Sequence, residues 1–292
     1  NFLEKLTHTK GEWRGKPFLL EPWQKFITCS VFGWVKKTTG HRRFTKARVY
    51  VPRKNGKTLF VSGLGVYMLA FDDEPGSEVY AGAGSEKQAD EVFKPSRLMC
   101  LADSELTEFA GITVNAQSLT MADGSKYERV IGSPGDGASP HFAIIDEFHE
   151  HRNSELIDTM ETGMGARRQP ISFVISTAGS NITGPCRDDW KACERVLEAT
   201  EGFEDETLFA IIYSTDPGDD WDSLDSLRKA NPNWGVSINI EQMEAKLKTA
   251  RQRANQQSAF RTKHLNEWVA AKEAFFNIVQ WQSLARPGIK RE

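Results

Sequence analysis

Short, mainly apolar segments constrain the fold of this 292-residue chain more than any other feature. Residues 47–51, 142–145 and 171–175 are mainly apolar without strict alternation, and they are followed by Pro52, Asp146 and Ser176 respectively. Strands buried on both faces have this composition, and they occur in parallel sheets with helices on both sides. Residues 78–83 and 209–213 predict two further strands. The sequence therefore predicts an α/β fold with a mainly parallel central sheet flanked by helices.

The segments between these strands predict helices and one hairpin. Residues 58–70 are apolar almost all round, which indicates a buried helix. Ser85 and Gln88 form a capping box that begins a helix reaching about Cys100. Asp123 and Gly124 predict a hairpin between residues 118–121 and 126–131.

The composition and the hydrophobic periodicity of the sequence change after Tyr213. An acidic, turn-rich segment is followed by helical patterns at residues 222–230 and 240–268, which residues 231–233 separate. We expect an α/β domain over residues 1–213 and a small helical lid or linker subdomain over 214–279. Residues 280–292 lack periodicity and are predicted to be a linker.

Charge is unevenly distributed, although the formal net charge is only −3. No acidic residue lies between Lys36 and Thr58, whereas acids concentrate at 201–206 and 216–225. This asymmetry indicates a basic face for a polyanion, with a merely solvated basic face as the alternative. The candidates for contacts with a nucleic-acid backbone are Lys36, Lys37, Arg42, Arg43, Lys87 and Lys94.

Cysteine spacing and hydropathy exclude several classes of protein. The four cysteines include no C-x-x-C pair, so neither a zinc site nor a disulfide framework is predicted, and a reducing cytosol fits. No apolar run reaches transmembrane length, and the N-terminal residues lack a signal-peptide pattern.

Residues 52–58, PRKNGKT, end as a phosphate-binding loop ends, although Val51 stands where the first glycine of G-x-x-x-x-G-K-[ST] is usual. The loop has the required context of a strand before it and a helix after it. Lys57 is expected to reach the β and γ phosphates, Thr58 to bind magnesium, and Arg53 to add a cation near the γ phosphate. A basic turn before a buried helix is the alternative. The predicted nucleotide-binding residues are Pro52, Arg53, Lys54, Asn55, Gly56, Lys57 and Thr58.

Two carboxylates and a threonine follow other predicted strands. Asp146 could hold magnesium, and Glu147 could orient and deprotonate the attacking water. Thr177 follows the strand at 171–175, and ligands of parallel sheets bind where the carboxyl ends of strands meet. Carboxylates that merely cap the next helix are the alternative for Asp146 and Glu147. His149 and His151 lack a third ligand with metal spacing, so structural histidines are favoured there.

An aromatic and amide segment precedes the first strand. Gln24 is predicted to hydrogen-bond an adenine edge, with Trp23 or Phe26 packing nearby. Core packing of an N-terminal helix is an equally good interpretation of the aromatic residues.

These motifs together resemble the large terminase subunit of tailed bacteriophages, in the branch typified by phage HK97. The resemblance covers nearly the whole chain. Its elements are EPWQ at 21–24, PRKNGKT at 52–58, YAGAGSEKQA at 80–89, IIDEFHEH at 144–151, STAGSN at 176–181, ANPNWG at 230–235 and HLNEW at 264–268.

The resemblance implies a fold and a set of residue roles. Terminases commonly place a basic residue early in the phosphate loop, which favours a nucleotide site in a RecA-like P-loop ATPase of the ASCE class. The family roles are adenine binding for Gln24, phosphate and magnesium binding for Arg53, Lys57 and Thr58, metal binding for Asp146, and catalytic base for Glu147. Residues 177–179 resemble the motif that couples the state of the γ phosphate to motion.

The resemblance also implies a function and partners. The expected activity is ATP hydrolysis that drives double-stranded DNA through the portal into a procapsid, with ATP and Mg²⁺ as cofactors, in the host cytoplasm. The expected partners are the portal protein, the small terminase subunit and further copies in a ring, whereas the isolated chain is expected to be a monomer. An arginine finger from a neighbouring copy is implied, with Arg129 and the pair Arg167-Arg168 as candidates.

The family's nuclease domain would begin where this chain stops, so nuclease activity is not expected. Two other functions are considered. Residues 146–149 also spell a DExH box, but the arginine pattern of a second helicase domain is absent from the sequence. A nucleotide-regulated DNA-binding module without turnover is the second alternative.

Overall fold

An eight-stranded sheet organises the chain in a computed structural model that describes residues 2–132, 135 and 137–270. In spatial order the strands run β3-β4-β5-β2-β6-β7-β1-β8 when they are numbered along the chain. Their bounds are β1 Lys46–Tyr50, β2 Glu78–Ala83, β3 Thr113–Val114, β4 Ser118–Thr120, β5 Lys126–Ile131, β6 Phe142–Asp146, β7 Ile171–Ser176 and β8 Leu208–Ile212.

In spatial order the strands from β5 to β8 pair in parallel, whereas β4 pairs antiparallel with both β3 and β5 at one edge. The predicted hairpin is confirmed as β4 and β5, and the sheet extends through it because β5 also pairs in parallel with β2. All five strands predicted from apolar segments are present within one or two residues at each end. The fold class is therefore as predicted: a mainly parallel α/β sheet.

Helices cover both faces of the sheet. The helices are α1 Pro22–Gly33, α2 Lys57–Ala70, α3 Glu86–Ala102, α4 Ser104–Ala110, α5 Glu155–Gly163, α6 Pro185–Leu197, α7 Leu224–Ala230, α8 Ile240–Gln252 and α9 Ala254–Phe260.

Two apolar clusters fill the space between the helices and the sheet. One cluster joins α1, α2 and α3 to the sheet through residues such as Ile27, Phe60 and Phe93. The other joins α5 and α6 to the opposite face through residues such as Met160 and Trp190. Helix α2 is apolar on almost every side because it is enclosed by α3 and the sheet. The sheet is therefore buried on both faces, as its strand composition predicts.

The helices after Tyr213 pack around an apolar cluster of their own, which includes Leu227, Met243 and Leu247. The prediction of one helix over residues 240–268 is wrong. Arg253 is extended and separates α8 from α9, and a π-helical turn, Arg261–Leu265, follows α9. The break lets Phe260 and Leu265 contact the same cluster as α8, which a straight helix could not do. The helix predicted at 222–230 begins at Leu224 because Ser223 caps it.

The predicted division at residue 213 stays a prediction, and the predicted linker, residues 280–292, lies outside the described residues. Among the described residues, no helix is both long enough and apolar enough to cross a lipid bilayer.

Candidate nucleotide site

The phosphate loop joins β1 to α2 with the backbone turned at two points. Lys54 and Gly56 both have positive φ, 72° and 80°, and Lys57 is the first residue of α2. The Lys57 ammonium is buried and donates hydrogen bonds to the carbonyl oxygens of Val51 (3.1 Å) and Pro52 (3.3 Å). Burial lowers the pKa of Lys57, an effect that the nearby Glu147 and Asp146 carboxylates oppose. The loop thus encloses a cation at the N-terminus of a helix, which is an anion-binding arrangement.

Thr58 and Asp146 meet across the sheet edge. The Thr58 hydroxyl donates to Asp146 Oδ2 at 3.2 Å, and the Glu147 amide donates to Asp146 Oδ1 at 2.9 Å. Asp146 is 4% exposed. Burial, and then the neighbouring Glu147 carboxylate, raises the pKa of Asp146 to about 7. A buried carboxylate and a hydroxyl in contact form the type of oxygen donor set that Mg²⁺ prefers.

Glu147 follows directly in a strained backbone conformation. Its φ is +50°, which is unfavourable for a residue with a Cβ and is typical of functional sites. Its buried Oε2 lies 3.2 Å from His149 Nδ1, without the geometry of a hydrogen bond. His149 Nδ1 also lies 3.1 Å from Ser176 Oγ and 3.3 Å from Thr177 Oγ1. Burial lowers the pKa of His149. His149 thus connects Glu147 to the residues that follow β7.

Arg53 lies beside these groups but is only partly engaged. Its guanidinium pairs with Glu150 at 3.4 Å, and 38% of its side chain is exposed. Thr177 is buried, and the next amide, of Ala178, donates to Asn266 Oδ1 at 2.6 Å. The carboxyl edge of the sheet therefore brings together the loop, Asp146, Glu147 and Thr177, although these residues are far apart in sequence.

The two residues predicted to lie at the adenine, Gln24 and Trp23, are both buried but have different hydrogen-bond partners. Gln24 is buried, its Oε1 accepts from the Glu21 amide at 3.0 Å, and its Nε2 lies near Gly56. Trp23 is also buried, packs edge-on against Phe60, and donates from Nε1 to Asn233 at 2.6 Å. The residue is 4% exposed, which agrees with the alternative interpretation of core packing, and a contact of Trp23 with the nucleotide stays a prediction. For Gln24, adenine recognition stays a prediction.

Two of the basic residues predicted to contact DNA are engaged within the protein. Arg42 is buried, forms an ion pair with Asp72, and also bonds to the carbonyl oxygen of Gln169. Arg43 stacks over Trp34 and donates to the Glu206 carbonyl oxygen at 3.2 Å. The Arg42 prediction is wrong, because a basic residue in a charge-rich segment can still find a buried partner. Lys36, Lys37, Lys87 and Lys94 are exposed.

The candidate arginine fingers differ in their exposure and in their ion pairs within the chain. Arg129 forms ion pairs with Asp90 and Glu86 on α3. Arg167 donates to Glu74 at 3.0 Å and to backbone carbonyls, including that of Gly76 at 2.8 Å. Both arginines stabilise the fold of their own chain, whereas Arg168 is exposed. Of the three candidates, Arg168 therefore has the most exposed side chain.

Sequence reasoning missed several site residues. The sequence places Asn55 in the loop and residues 231–233 between two helices and within the ANPNWG motif, but it does not indicate that Asn55, Asn231 and Asn233 form a buried network. Asn266 belongs to the HLNEW motif, which does not indicate its hydrogen bond with the Ala178 amide. Repeated asparagine around the ANPNWG segment is the signal that could have indicated these contacts.

Comparison of the sequence with known protein families identifies an ATPase domain, which agrees with a nucleotide site at this edge of the sheet. Residues 22–195 match the family model "Terminase large subunit, ATPase domain". The chain belongs to this family. The helicase alternative is therefore wrong.

Two relatives show the extent of the sequence similarity to this terminase family. Protein YmfN of Escherichia coli K12 is 49% identical over 150 residues, which are 51% of this chain and 32% of YmfN. The large terminase subunit of Enterobacteria phage HK97 is 25% identical over 279 residues, which are 94% of this chain and 53% of that protein.

Solved structures show the same fold. The HK97 large terminase crystal structure superposes with a TM-score of 0.77 at 24% identity, covering 91% of this chain and 54% of that one. A large terminase from a thermophilic bacteriophage, in complex with ATP-γ-S, superposes with a TM-score of 0.52 at 12% identity, covering 86% of this chain and 53% of that one. The matched regions thus cover about a third to about half of the lengths of the two curated relatives.

Proposed function

We propose that this chain is the ATP-hydrolysing part of a viral DNA-packaging motor. The observation that carries the proposal is the convergence of Lys57, Thr58, Asp146 and Glu147 at one sheet edge, with the Thr58 hydroxyl 3.2 Å from Asp146. Family membership and the structural relative with bound ATP-γ-S support ATP as the nucleotide.

The residues divide the work of phosphoryl transfer. The loop amides and the Lys57 ammonium bind and orient the phosphates, and the N-terminus of α2 adds its dipole. Arg53 turns from Glu150 to the γ phosphate. Glu147 accepts a proton from the attacking water. The positive φ of Glu147 and the adjacent His149 ring restrict the position of its carboxylate. Little covalent chemistry is required of the protein, because positioning and charge neutralisation supply most of the catalysis.

Thr58 and Asp146 would hold Mg²⁺. Their buried, adjacent oxygen atoms fit a hard divalent cation, and the raised pKa of Asp146 marks a carboxylate whose charge lacks a full partner in the protein. When bound, the ion would neutralise charge that develops on the phosphates.

The proposed partners follow from the same function. Several copies would surround one DNA duplex on a portal protein, with a small terminase subunit as a further partner, in the cytoplasm of the host. Exposed Lys36, Lys37, Lys87 and Lys94 would contact the DNA backbone, because a translocating motor must accept every base sequence. The isolated chain is proposed to be a monomer.

Replacing Glu147 by glutamine tests the catalytic assignment. We expect Glu147→Gln to keep ATP binding and to lower hydrolysis by about two to four orders of magnitude, since a positioned general base contributes about that much. Lys57→Ala is expected to weaken ATP binding itself. Phosphate release is measured with double-stranded DNA and portal present, and binding is measured with a fluorescent ATP analogue.

Glu244→Gln is the matched control, because Glu244 is exposed on α8. It should behave as the parent chain does. Hydrolysis by Glu147→Gln at the parent rate would remove Glu147 from the mechanism. A parent chain that binds ATP but never turns it over would instead favour the nucleotide-regulated DNA-binding module.

A further inference from the structure

Three buried asparagines connect the phosphate loop to the helices after Tyr213. Asn55 Nδ2 donates to the Pro52 carbonyl (3.1 Å) and to Asn231 Oδ1 (2.9 Å). Asn55 Oδ1 accepts from the Asn233 amide at 3.0 Å, and Asn233 Nδ2 donates to the Asn55 carbonyl at 3.1 Å. The three residues are 0%, 1% and 4% exposed. We call Asn55, Asn231 and Asn233 the asparagine clamp.

The neighbouring loop residues are held by the same helical part of the chain. The Arg53 amide donates to the Lys263 carbonyl at 3.0 Å, and the Lys54 carbonyl accepts from Ser237 Oγ at 2.6 Å. Backbone groups of Arg53, Lys54 and Asn55 therefore all pair with residues between 231 and 263. Lys54 has a φ of +72°, which is unfavourable for a residue with a Cβ. These bonds offset that cost and determine the path of the loop.

The clamp is itself anchored to three other elements. Asn231 Nδ2 donates to the carbonyl oxygens of Leu227 and His264, each at 2.8 Å. Asn233 Oδ1 accepts from Trp23 Nε1 at 2.6 Å. The loop's shape thus depends on the relative positions of α1, α7 and the π-helical turn.

We infer that Asn231 and Asn233 are positioning residues for nucleotide binding, and that the phosphate loop and the helical part of the chain move as one unit. This inference rests on the proposed function. The clamp directs the loop amides toward the phosphates through Asn55, and neither Asn231 nor Asn233 needs to touch the nucleotide. A change in the loop on nucleotide exchange is passed to the helices, because separating the two would leave buried amide and carbonyl groups of the clamp without some of their hydrogen bonds.

Removing one clamp side chain should weaken nucleotide binding. Asn233→Ala leaves buried groups of Asn55 and Trp23 without partners, and such a loss corresponds to roughly a tenfold or greater change in an equilibrium constant. We expect Kd for a fluorescent ATP analogue with Mg²⁺ to rise at least about tenfold. Asn55→Ala should have a similar effect, and the Asn55→Ala/Asn233→Ala double variant should be little worse than either single variant.

Asn239→Ala is the matched control. Asn239 lies in the same helical part and caps α8 by accepting from the Gln242 amide at 2.9 Å, a bond that does not involve the loop. Its loss should lower Tm, as the loss of an N-cap usually does, and should leave Kd unchanged. Ser237→Ala is a second test that spares the core, because Ser237 is exposed, and we expect a several-fold rise in Kd.

The outcomes separate this inference from the proposed function. A parent chain that binds the analogue, together with folded Asn233→Ala and Ser237→Ala variants of unchanged Kd, would overturn the clamp and leave the ATPase proposal standing. An equal loss of affinity in Asn239→Ala would also overturn it, since general loosening would then explain the effect. A parent chain with no affinity, equal to Lys57→Ala, would overturn both.

Discussion

At the scale of single residues, Asp146 is a buried carboxylate whose ionisation opposes folding. Its pKa is raised to about 7, whereas an aspartate in an unfolded chain ionises near pH ~4. Between these values the folded chain holds a proton that the unfolded chain releases, so stability falls as pH rises through this range. Asp146→Asn should therefore raise Tm by about 5 °C at pH 8 and by much less near pH ~4.5. Calorimetry without nucleotide or Mg²⁺ measures this.

Asp219→Asn is the control for this experiment. Hydrogen bonding to Lys229 lowers the pKa of the partly exposed Asp219, so its charge favours the folded state and its removal should give no gain at pH 8. If Asp146→Asn melts at the parent temperature at both pH values, the Asp146 carboxylate is not strained and its assignment as a cation ligand loses support.

At the scale of elements, α2 depends on a glycine at its contact with β5. A Cβ at Gly65 would lie 2.7 Å from Cε1 of Tyr127, a fully buried ring whose hydroxyl also accepts from Ser96 at 3.2 Å. Gly65→Ala should lower the free energy of unfolding by about 1–3 kcal/mol, since overpacking outweighs the roughly 1 kcal/mol helix preference of alanine. Urea denaturation at 25 °C measures the change.

Gly33→Ala provides the comparison, because a Cβ built at Gly33, the last residue of α1, would meet no neighbouring group within 4 Å. There the helix preference should act alone and leave stability equal or slightly higher. Equal stability of both variants would mean that α2 and β5 can separate at no cost.

At the scale of the whole molecule, the chain should hydrolyse ATP but not cut DNA. Two-metal cleavage requires several carboxylates that converge on ions about 4 Å apart. The carboxylates at the carboxyl end of β6, Asp146 and Glu147, are already assigned to the proposed nucleotide site. Incubation with supercoiled plasmid and Mg²⁺ or Mn²⁺ should therefore leave the plasmid intact.

Asp146→Ala should be equally inactive in the plasmid assay. Nicking by the parent chain would show that a nuclease site has been overlooked, and loss of that nicking in Asp146→Ala would reassign Asp146 from the nucleotide to DNA cleavage.

Local sequence was sufficient for features that depend on local chemistry. Buried strands need a continuous apolar composition, so residues 142–145 and 171–175 predicted β6 and β7 closely. Because parallel strands end at one edge, the same reasoning placed Asp146 and Thr177 beside the loop. The GKT ending predicted the turn into α2 for a local reason as well, since glycine at position 56 permits its φ of +80°.

Only the tertiary structure decided which partner each polar or aromatic side chain would meet. Arg42 forms an ion pair with Asp72 within the protein, and Trp23 donates a hydrogen bond to Asn233, which lies 210 residues away in sequence. Likewise, the helix breaks at Arg253, and Phe260 and Leu265 then pack in the same apolar cluster as α8. Hydrophobic periodicity along the sequence does not predict this break. Composition and periodicity report whether a position is buried. The identity of a hydrogen-bond partner depends on contacts within about 3 Å, and for the asparagine clamp those contacts join segments that only folding brings together.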